Sequence, residues 1–157
     1  MYDLVSYRSS ERDVISILAR RYTRRATFSC WECVLDYQWL RYRWLIRMPR
    51  DLSEPPPSLF LDWLRCLGYV RTIGNPLSQD DITLMWASGA EVPHAGLWLT
   101  GQRFLHAVPG RGLLVSSQAS VLARKDVRYD HWRPIEPKTD VCLLIGDRYV
   151  TEHQAVQ

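Results

Sequence analysis

Between residues 9 and 22 the apolar positions Val14, Ile17 and Leu18 recur at helical spacing, behind Ser9-Ser10 and the early acids Glu11 and Asp13. A capping serine followed by acids is a helix start, so this pattern predicts a first helix ending near Tyr22. After a short link, 23–29, a second stripe runs through Val34, Tyr37, Leu40, Trp44 and Leu45 and predicts a helix from about Cys30 to Arg47. Its further aromatics, Trp31, Trp39 and Tyr42, imply burial on more than one side. Met48-Pro49 and the Pro55-Pro56-Pro57 run break the periodicity. Residues 58–67 read as a third helix, with Gly68 suited to the left-handed conformation of a helix C-cap.

From Tyr69 the pattern shortens to that of strands. Candidates are 69–73, 82–86, 94–98, 102–108, 112–116 and 127–133, with a short helix within 117–125. A final pair, 141–145 and 148–150, flanks the hairpin signal Gly146-Asp147. Helices first and antiparallel strands afterwards predict an α+β fold. There is no internal repeat and no low-complexity tract.

Composition narrows the functional classes. The 157 residues suffice for one domain with a real core. No apolar run approaches the roughly 20 residues of a membrane helix, so no membrane insertion is expected. No signal peptide is visible in Met1-Tyr2-Asp3-Leu4-Val5, which predicts folding in a cytosol. Net charge is +3, and 18 of the 20 basic residues are Arg. Their scatter reads as solvated helix faces or as contact with an anionic surface; it lacks the basic strip and motif of a nucleic-acid binder. In a cytosolically folded chain the four cysteines, Cys30, Cys33, Cys66 and Cys142, are free thiols, metal ligands or a nucleophile rather than disulfides. Cys66 and Cys142 lie in apolar stretches and are assigned to the core. His131 and His153 carry no motif and are read as surface or structural.

The chemistry concentrates on one hairpin. His94 and His106 flank a turn at Thr100-Gly101. A two-residue turn would pair 99 with 102 and point the two imidazoles to opposite faces. A three-residue loop, Leu99-Thr100-Gly101, would pair 94 with 106 and place them together, with Gly101 at the position that wants a left-handed residue. Upstream, Cys30 opens a helix with Ser29 or Thr27 as N-cap, and the positive end of the helix dipole favours its thiolate. In one reading Cys30 is a nucleophile, His94 its base and later the acid for the leaving amine, and His106 the group that orients His94. In another, Cys30-x-x-Cys33 and the histidines bind zinc or, with Cys66 and Cys142, an iron–sulfur cluster, or the two cysteines form a redox pair.

Phe28-Ser29-Cys30-Trp31-Glu32-Cys33-Val34 resembles the Phe-Asp-Cys-Ser/Trp-Gly-Leu-Val nucleophile motif of the NlpC family of papain-like cell-wall cysteine peptidases. Asp80-Asp81-Ile82-Thr83-Leu84-Met85 is similar to that family's Gly-Asp-Val-x-Leu-Met strand. The segments 93–99 and 103–107 resemble its His-Val-Gly-Ile-Tyr-Leu and Arg-Phe-Leu/Ile-His-Ala segments. The resemblance runs from about Ser9 to Arg133, and with 112–117 included it is greatest to tail-associated members from long-tailed phages. It implies N-terminal helices packed on an antiparallel sheet and hydrolysis of peptidoglycan stem peptides, often between D-glutamate and diaminopimelate. Cys30 carries over as nucleophile, His94 as base and His106 as third polar residue. Tyr22 and Ser29 carry over as groups lining the substrate or oxyanion site. No cofactor is implied. The partners implied are peptidoglycan and tail-tip or hub proteins, in the tail tip of a virion. Residues 1–135 would form the peptidase domain, and the hairpin and tail of 136–157 lie beyond the family core, free to dock on a partner. Three positions depart from the motif: Ser29 stands for Asp, Glu32 for Gly and Asp80 for Gly. An acid at 32 tends to raise the thiol pKa, and a non-catalytic tail subunit of the same fold is the alternative.

Overall fold

The computed structural model describes residues 9–25, 28–42, 61–62, 64–65, 68–73 and 77–134, and the backbone of 142–145 and 148–151. Helix α1 spans Glu11–Thr23, and the Ser10 Oγ accepts from the Asp13 N–H at 3.2 Å, as the serine-acid start requires. It buries Val14, Leu18 and Tyr22, one face at helical spacing. Helix α2 spans Cys30–Tyr42 and buries Trp31, Cys33, Val34, Tyr37 and Gln38; the expected continuation to Arg47 lies outside the described residues. Of the third expected helix, residues 61, 62, 64 and 65 are helical. Gly68 follows at φ 79°, its N–H donating to the Arg65 carbonyl at 3.0 Å, which is the left-handed termination expected of it.

Six strands follow: β1 (Tyr69–Thr72), β2 (Ile82–Ala87), β3 (His94–Leu99), β4 (Arg103–Val108), β5 (Gly112–Ser117) and β6 (Val127–Pro134). Helix α3 (Gln118–Leu122) joins β5 to β6. The strands form one open antiparallel sheet in the order β1-β6-β2-β3-β4-β5, so the fold is α+β. Two further strands, β7 (Cys142–Ile145) and β8 (Arg148–Thr151), pair as the expected hairpin.

Alternation along the strands divides the sheet into two faces. Leu84, Ala95, Leu97, Leu105 and Ala107 share a core with Val14 and Leu18 of α1 and Val34 and Tyr37 of α2. Trp98 and Phe104 face the other way and pack with Val121 of α3. The intervening residues of β3 and β4, His94 and His106 among them, belong to this α3 face.

Where β2 begins, the Asp81 side chain is fully buried and takes both Nε and Nη2 of Arg133, at 3.0 and 2.8 Å, plus the Ser78 N–H at 2.8 Å. That bidentate pair ties β2 to the end of β6. Asp80 beside it sits at φ 70°, the left-handed region that glycine enters most cheaply. Asp is one of the few side chains tolerated in that region, and here the Asp80 carboxylate accepts the Tyr42 hydroxyl.

The β3–β4 hairpin corrects one expectation. Leu99 pairs with Arg103, Trp98 with Phe104 and Leu97 with Leu105, so the loop is Thr100-Gly101-Gln102 rather than Leu99-Thr100-Gly101. Gly101 and Gln102 both take positive φ, 72° and 56°. The register is displaced by two residues from one that pairs 94 with 106. A two-residue displacement preserves which face each side chain occupies, so the two histidines still share a face.

Candidate active site

The site is assembled at the start of α2. Ser29 and Glu32 form a reciprocal capping box: the Ser29 Oγ accepts from the Glu32 N–H at 3.3 Å, and the Glu32 Oε2 accepts from the Ser29 N–H at 2.8 Å. The Glu32 Oε1 accepts from the Arg25 guanidinium at 3.1 Å. The bulky acid in the first turn therefore has a structural task, with both carboxylate oxygens engaged and a cation beside them. The S-x-x-E spacing was a readable signal for this box. Because Ser29 is the capping residue, Cys30 is the first residue of the helix, where amides have no acceptor within the helix and the dipole is positive.

Helix α2 delivers Cys30 to the parting of two strands. The β3–β4 ladder runs from Leu99–Arg103 to Leu97–Leu105. Two residues further along β3, the Ala95 N–H donates to the Cys30 Sγ at 3.3 Å. A sulfur that receives a backbone N–H at a helix start is in surroundings that favour negative charge.

His94 starts β3 and His106 lies in β4, diagonal to each other across the parting. The His94 Nε2 and His106 Nδ1 are 2.8 Å apart, and the rings meet edge-on with centroids 5.1 Å apart. On its far side the His106 Nε2 lies 3.0 Å from the Ser116 Oγ, a residue with no assigned role at the sequence level. Strand parity, extended to β5, signals Ser116 as well: His106 opposes Leu114, which makes Ser116 its diagonal neighbour on the same face.

These contacts are compatible with the tautomers that would leave one His94 nitrogen open. For the His94 Nδ1 to accept a proton, its Nε2 must carry one and donate it to the His106 Nδ1. The His106 Nε2 then carries the other proton and donates to Ser116. Burial pushes the His94 imidazolium down to about 4, helped by the positive charges of His106 and Arg124. Burial, and then Arg111, also lower that of His106. Both rings are thus neutral near pH 7, the state in which one can donate to the other.

Cys30 and His94 line one cleft of about 260 Å³ with Phe28, Ser29, Trp31, Val92, Pro93 and Pro109. Ser29 and Tyr22, carried over as groups lining the substrate or oxyanion site, are placed differently. Ser29 lines the cleft, but its N–H is given to Glu32, which removes it as an oxyanion donor. Tyr22 is buried behind the cleft: its ring packs edge-on against Phe28, centroids 4.9 Å apart, and its hydroxyl donates to the Asp36 Oδ2 at 2.9 Å. Burial, with Asp36 alongside, drives the Tyr22 hydroxyl well above the usual phenol range.

Cys33, one turn beyond Cys30, belongs to the hydrophobic core and is 1% exposed; burial raises its thiol far above the ordinary value. Among the described residues no group of three or more His, Cys, Asp or Glu is placed to hold a metal ion. Cys66 and the Cys142 side chain, which a metal or cluster reading would need, lie outside the described residues, as does His153. His131 is structural: its Nδ1 lies 2.7 Å from the Thr83 Oγ1, which accepts the Trp98 indole N–H at 2.7 Å. Among the described residues no helix is long and apolar enough to cross a membrane.

No protein-family model matches this sequence, and no curated protein matches it either.

Proposed function

We propose that this chain is a papain-like cysteine endopeptidase of the NlpC type that hydrolyses peptidoglycan stem peptides, carried in the tail tip of a phage. The observation that supports it most is the ordered line from the Cys30 Sγ, held by the Ala95 N–H at 3.3 Å, to His94 in the same cleft and from His94 to His106 at 2.8 Å. A nucleophile, a base and a group that orients the base are the three parts that thiol acyl transfer needs.

The chemistry follows from these positions. His94 takes the Cys30 proton at Nδ1 as sulfur attacks the scissile carbonyl, and the oxygen that gains charge meets the first-turn amides of α2. The His94 imidazolium gives its proton to the leaving amine, the C–N bond breaks and a thioester remains on Cys30. Water, deprotonated by His94, then attacks the thioester; the C–S bond breaks, the carboxylic acid departs and the Cys30 thiol re-forms. His106 accepts from the His94 Nε2 throughout, which keeps the ring from rotating and steadies its positive charge.

Wild-type and Cys30→Ala proteins incubated with purified muropeptides test the reading. Release of a new amino terminus by the wild type alone is expected. Null release by both, with both folded, would overturn the enzyme and leave a structural tail subunit.

A further inference from the structure

Helix α2 carries two cysteines in its first turn, and the candidate reaction uses one of them. Cys30 is the first residue of the helix and lines the cleft. Cys33 stands three residues on, 1% exposed and packed into the core. Residues three apart on a helix are neighbours on one face. From the rise and radius of an α-helix their Cα atoms lie about 5 Å apart, inside the roughly 4.4–6.8 Å that a disulfide spans. Both are present as thiols. The charge of Cys30 is felt at Cys33, after burial and Asp36.

The two sulfurs have unlike surroundings. The Cys30 Sγ receives the Ala95 N–H at 3.3 Å, at a helix start and in the wall of an open cleft. Such surroundings favour the thiolate, the form that oxidants attack. Cys33 shares its core with Tyr22, Trp31 and Val34, where burial keeps it protonated and shields it from oxidants. An accessible, reactive sulfur with a buried thiol one turn away has the layout of an oxidation site and its resolving cysteine. The Cys30 N–H is among those with no acceptor within the helix, so Cys30 can swing towards Cys33 without breaking a helical hydrogen bond.

We propose that Cys30 and Cys33 form a reversible disulfide site, in which a peroxide oxidises Cys30 and Cys33 resolves the product. The Cys30 thiolate attacks the peroxide; the O–O bond breaks, hydroxide leaves and the sulfur is oxidised to a sulfenic acid. The Cys33 sulfur attacks that of Cys30; the S–O bond breaks, the S–S bond forms, and the Cys33 proton leaves with the hydroxyl as water. A dithiol returns two electrons and two protons and restores both thiols. On the peptidase reading the bridge removes the nucleophile, so hydrolysis stops while the disulfide lasts. The bridge itself does not depend on that reading.

The native chain is treated with a few equivalents of hydrogen peroxide, alkylated, cut with trypsin and analysed by mass spectrometry. Trypsin leaves Cys30 and Cys33 together in peptide 26–41 and places Cys66 and Cys142 in other peptides. Peptide 26–41 is expected to lose two hydrogens and to regain them with dithiothreitol. Cys33→Val keeps the core position apolar and leaves the sulfenic acid unresolved. Dimedone present during oxidation should then label Cys30 about tenfold or more strongly than in wild type, and sulfinic acid that dithiothreitol does not reduce should build up. Cys30→Ala should leave Cys33 unoxidised. Sulfenic or sulfinic acid on wild-type Cys30 as abundant as in Cys33→Val, a bridge from Cys30 to Cys66 or Cys142, an unoxidised Cys30, or an oxidised Cys33 in Cys30→Ala would overturn the proposal. Should Cys33→Val fail to fold, the wild-type peptide alone decides, by two lost hydrogens or by sulfinic acid. None of these readouts needs a substrate. Muropeptide release that stops with the bridge and returns with dithiothreitol is expected of a peptidase; no release by the reduced wild type overturns the peptidase reading and leaves the disulfide to stand or fall on the mass spectra.

Discussion

Replacing Glu32 by Gly, the residue of the motif resembled, should damage this protein. The Ser29 N–H loses its acceptor at 2.8 Å, and Ser29 is 6% exposed, so water replaces that acceptor poorly. An unsatisfied buried donor costs about 1–3 kcal/mol. Glycine in a helical turn adds up to about 1 kcal/mol. The lost pair with Arg25, between side chains 38% and 36% exposed, adds a few tenths of a kcal/mol at most. The expected loss is therefore about 2–3 kcal/mol. Glu32→Gln keeps an oxygen acceptor for Ser29 and gives up only the charge, so it should cost less than about 1 kcal/mol. Urea denaturation followed by circular dichroism measures both, with the midpoint shifting at constant slope. A Gly variant within about 0.5 kcal/mol of wild type, or a Gln variant as unstable as Gly, would refute the capping-box account and return Glu32 to a purely electrostatic role beside Cys30.

Three further outcomes follow from the same structure. His94 titrates near 4 when folded and near 6.5 when unfolded, so between those values the unfolded chain holds the extra proton; stability should fall on acidification through that window by roughly 3 kcal/mol, and urea midpoints from pH 7 to pH 4 that differ no more in wild type than in His94→Gln would contradict it. Gly96→Ala should cost more than about 3 kcal/mol or prevent folding, because the new Cβ would lie 2.2 Å from the Phe104 Cζ and 2.7 Å from the Leu105 carbonyl oxygen; a thermal midpoint near wild type would contradict it. Asp81→Ala removes the buried carboxylate that Arg133 and the Ser78 N–H share, and about 3 kcal/mol should be lost in urea titrations with little dependence on salt; a loss that disappears in 1 M NaCl would mark the pair as a screened surface contact.

Local signals carried most of the architecture. Serine before acids, glycine after the 58–67 apolar run and period-two alternation from Tyr69 are statements about single turns and strands, and each reappears in the fold. The order of the sheet, in which β6 inserts between β1 and β2, has no local signature: it follows from burying both faces at once, with Asp81 reaching Arg133 across 52 positions of sequence. The site divides the same way. Cys30 at a helix start and two histidines on a hairpin were legible because each is a short-range pattern. Ser116 and Arg124 were not assigned, because their relevance depends on the β4–β5 register and on where α3 turns back. Glu32 is a different failure. Its S-x-x-E signal is local, yet the carboxylate has two opposed effects: its charge disfavours a neighbouring thiolate, while its oxygen caps the helix by accepting the Ser29 N–H.

The hairpin shows why parity is a sturdier inference than register. Loop chemistry places glycine at a left-handed position, and both Gly101 and Gln102 take that conformation, so the loop can slide by one residue on each strand without losing its turn. Such a slide changes every cross-strand partner but leaves every side chain on its own face. For the candidate site, the face is what matters first: imidazoles on opposite faces could never meet, whereas diagonal neighbours on one face can. What the slide does change is how the rings meet. In continuation of the observed register Gly96, not His94, lies opposite His106. The missing Cβ at Gly96 lets the Phe104 ring lie against β3, where it packs 4.9 Å from Trp98 and 5.1 Å from His106. His106 is thereby backed by an aromatic wall, bonded to Ser116 on one nitrogen and to His94 on the other. A directly opposed pair, with a side chain at 96, would have had no room for that wall.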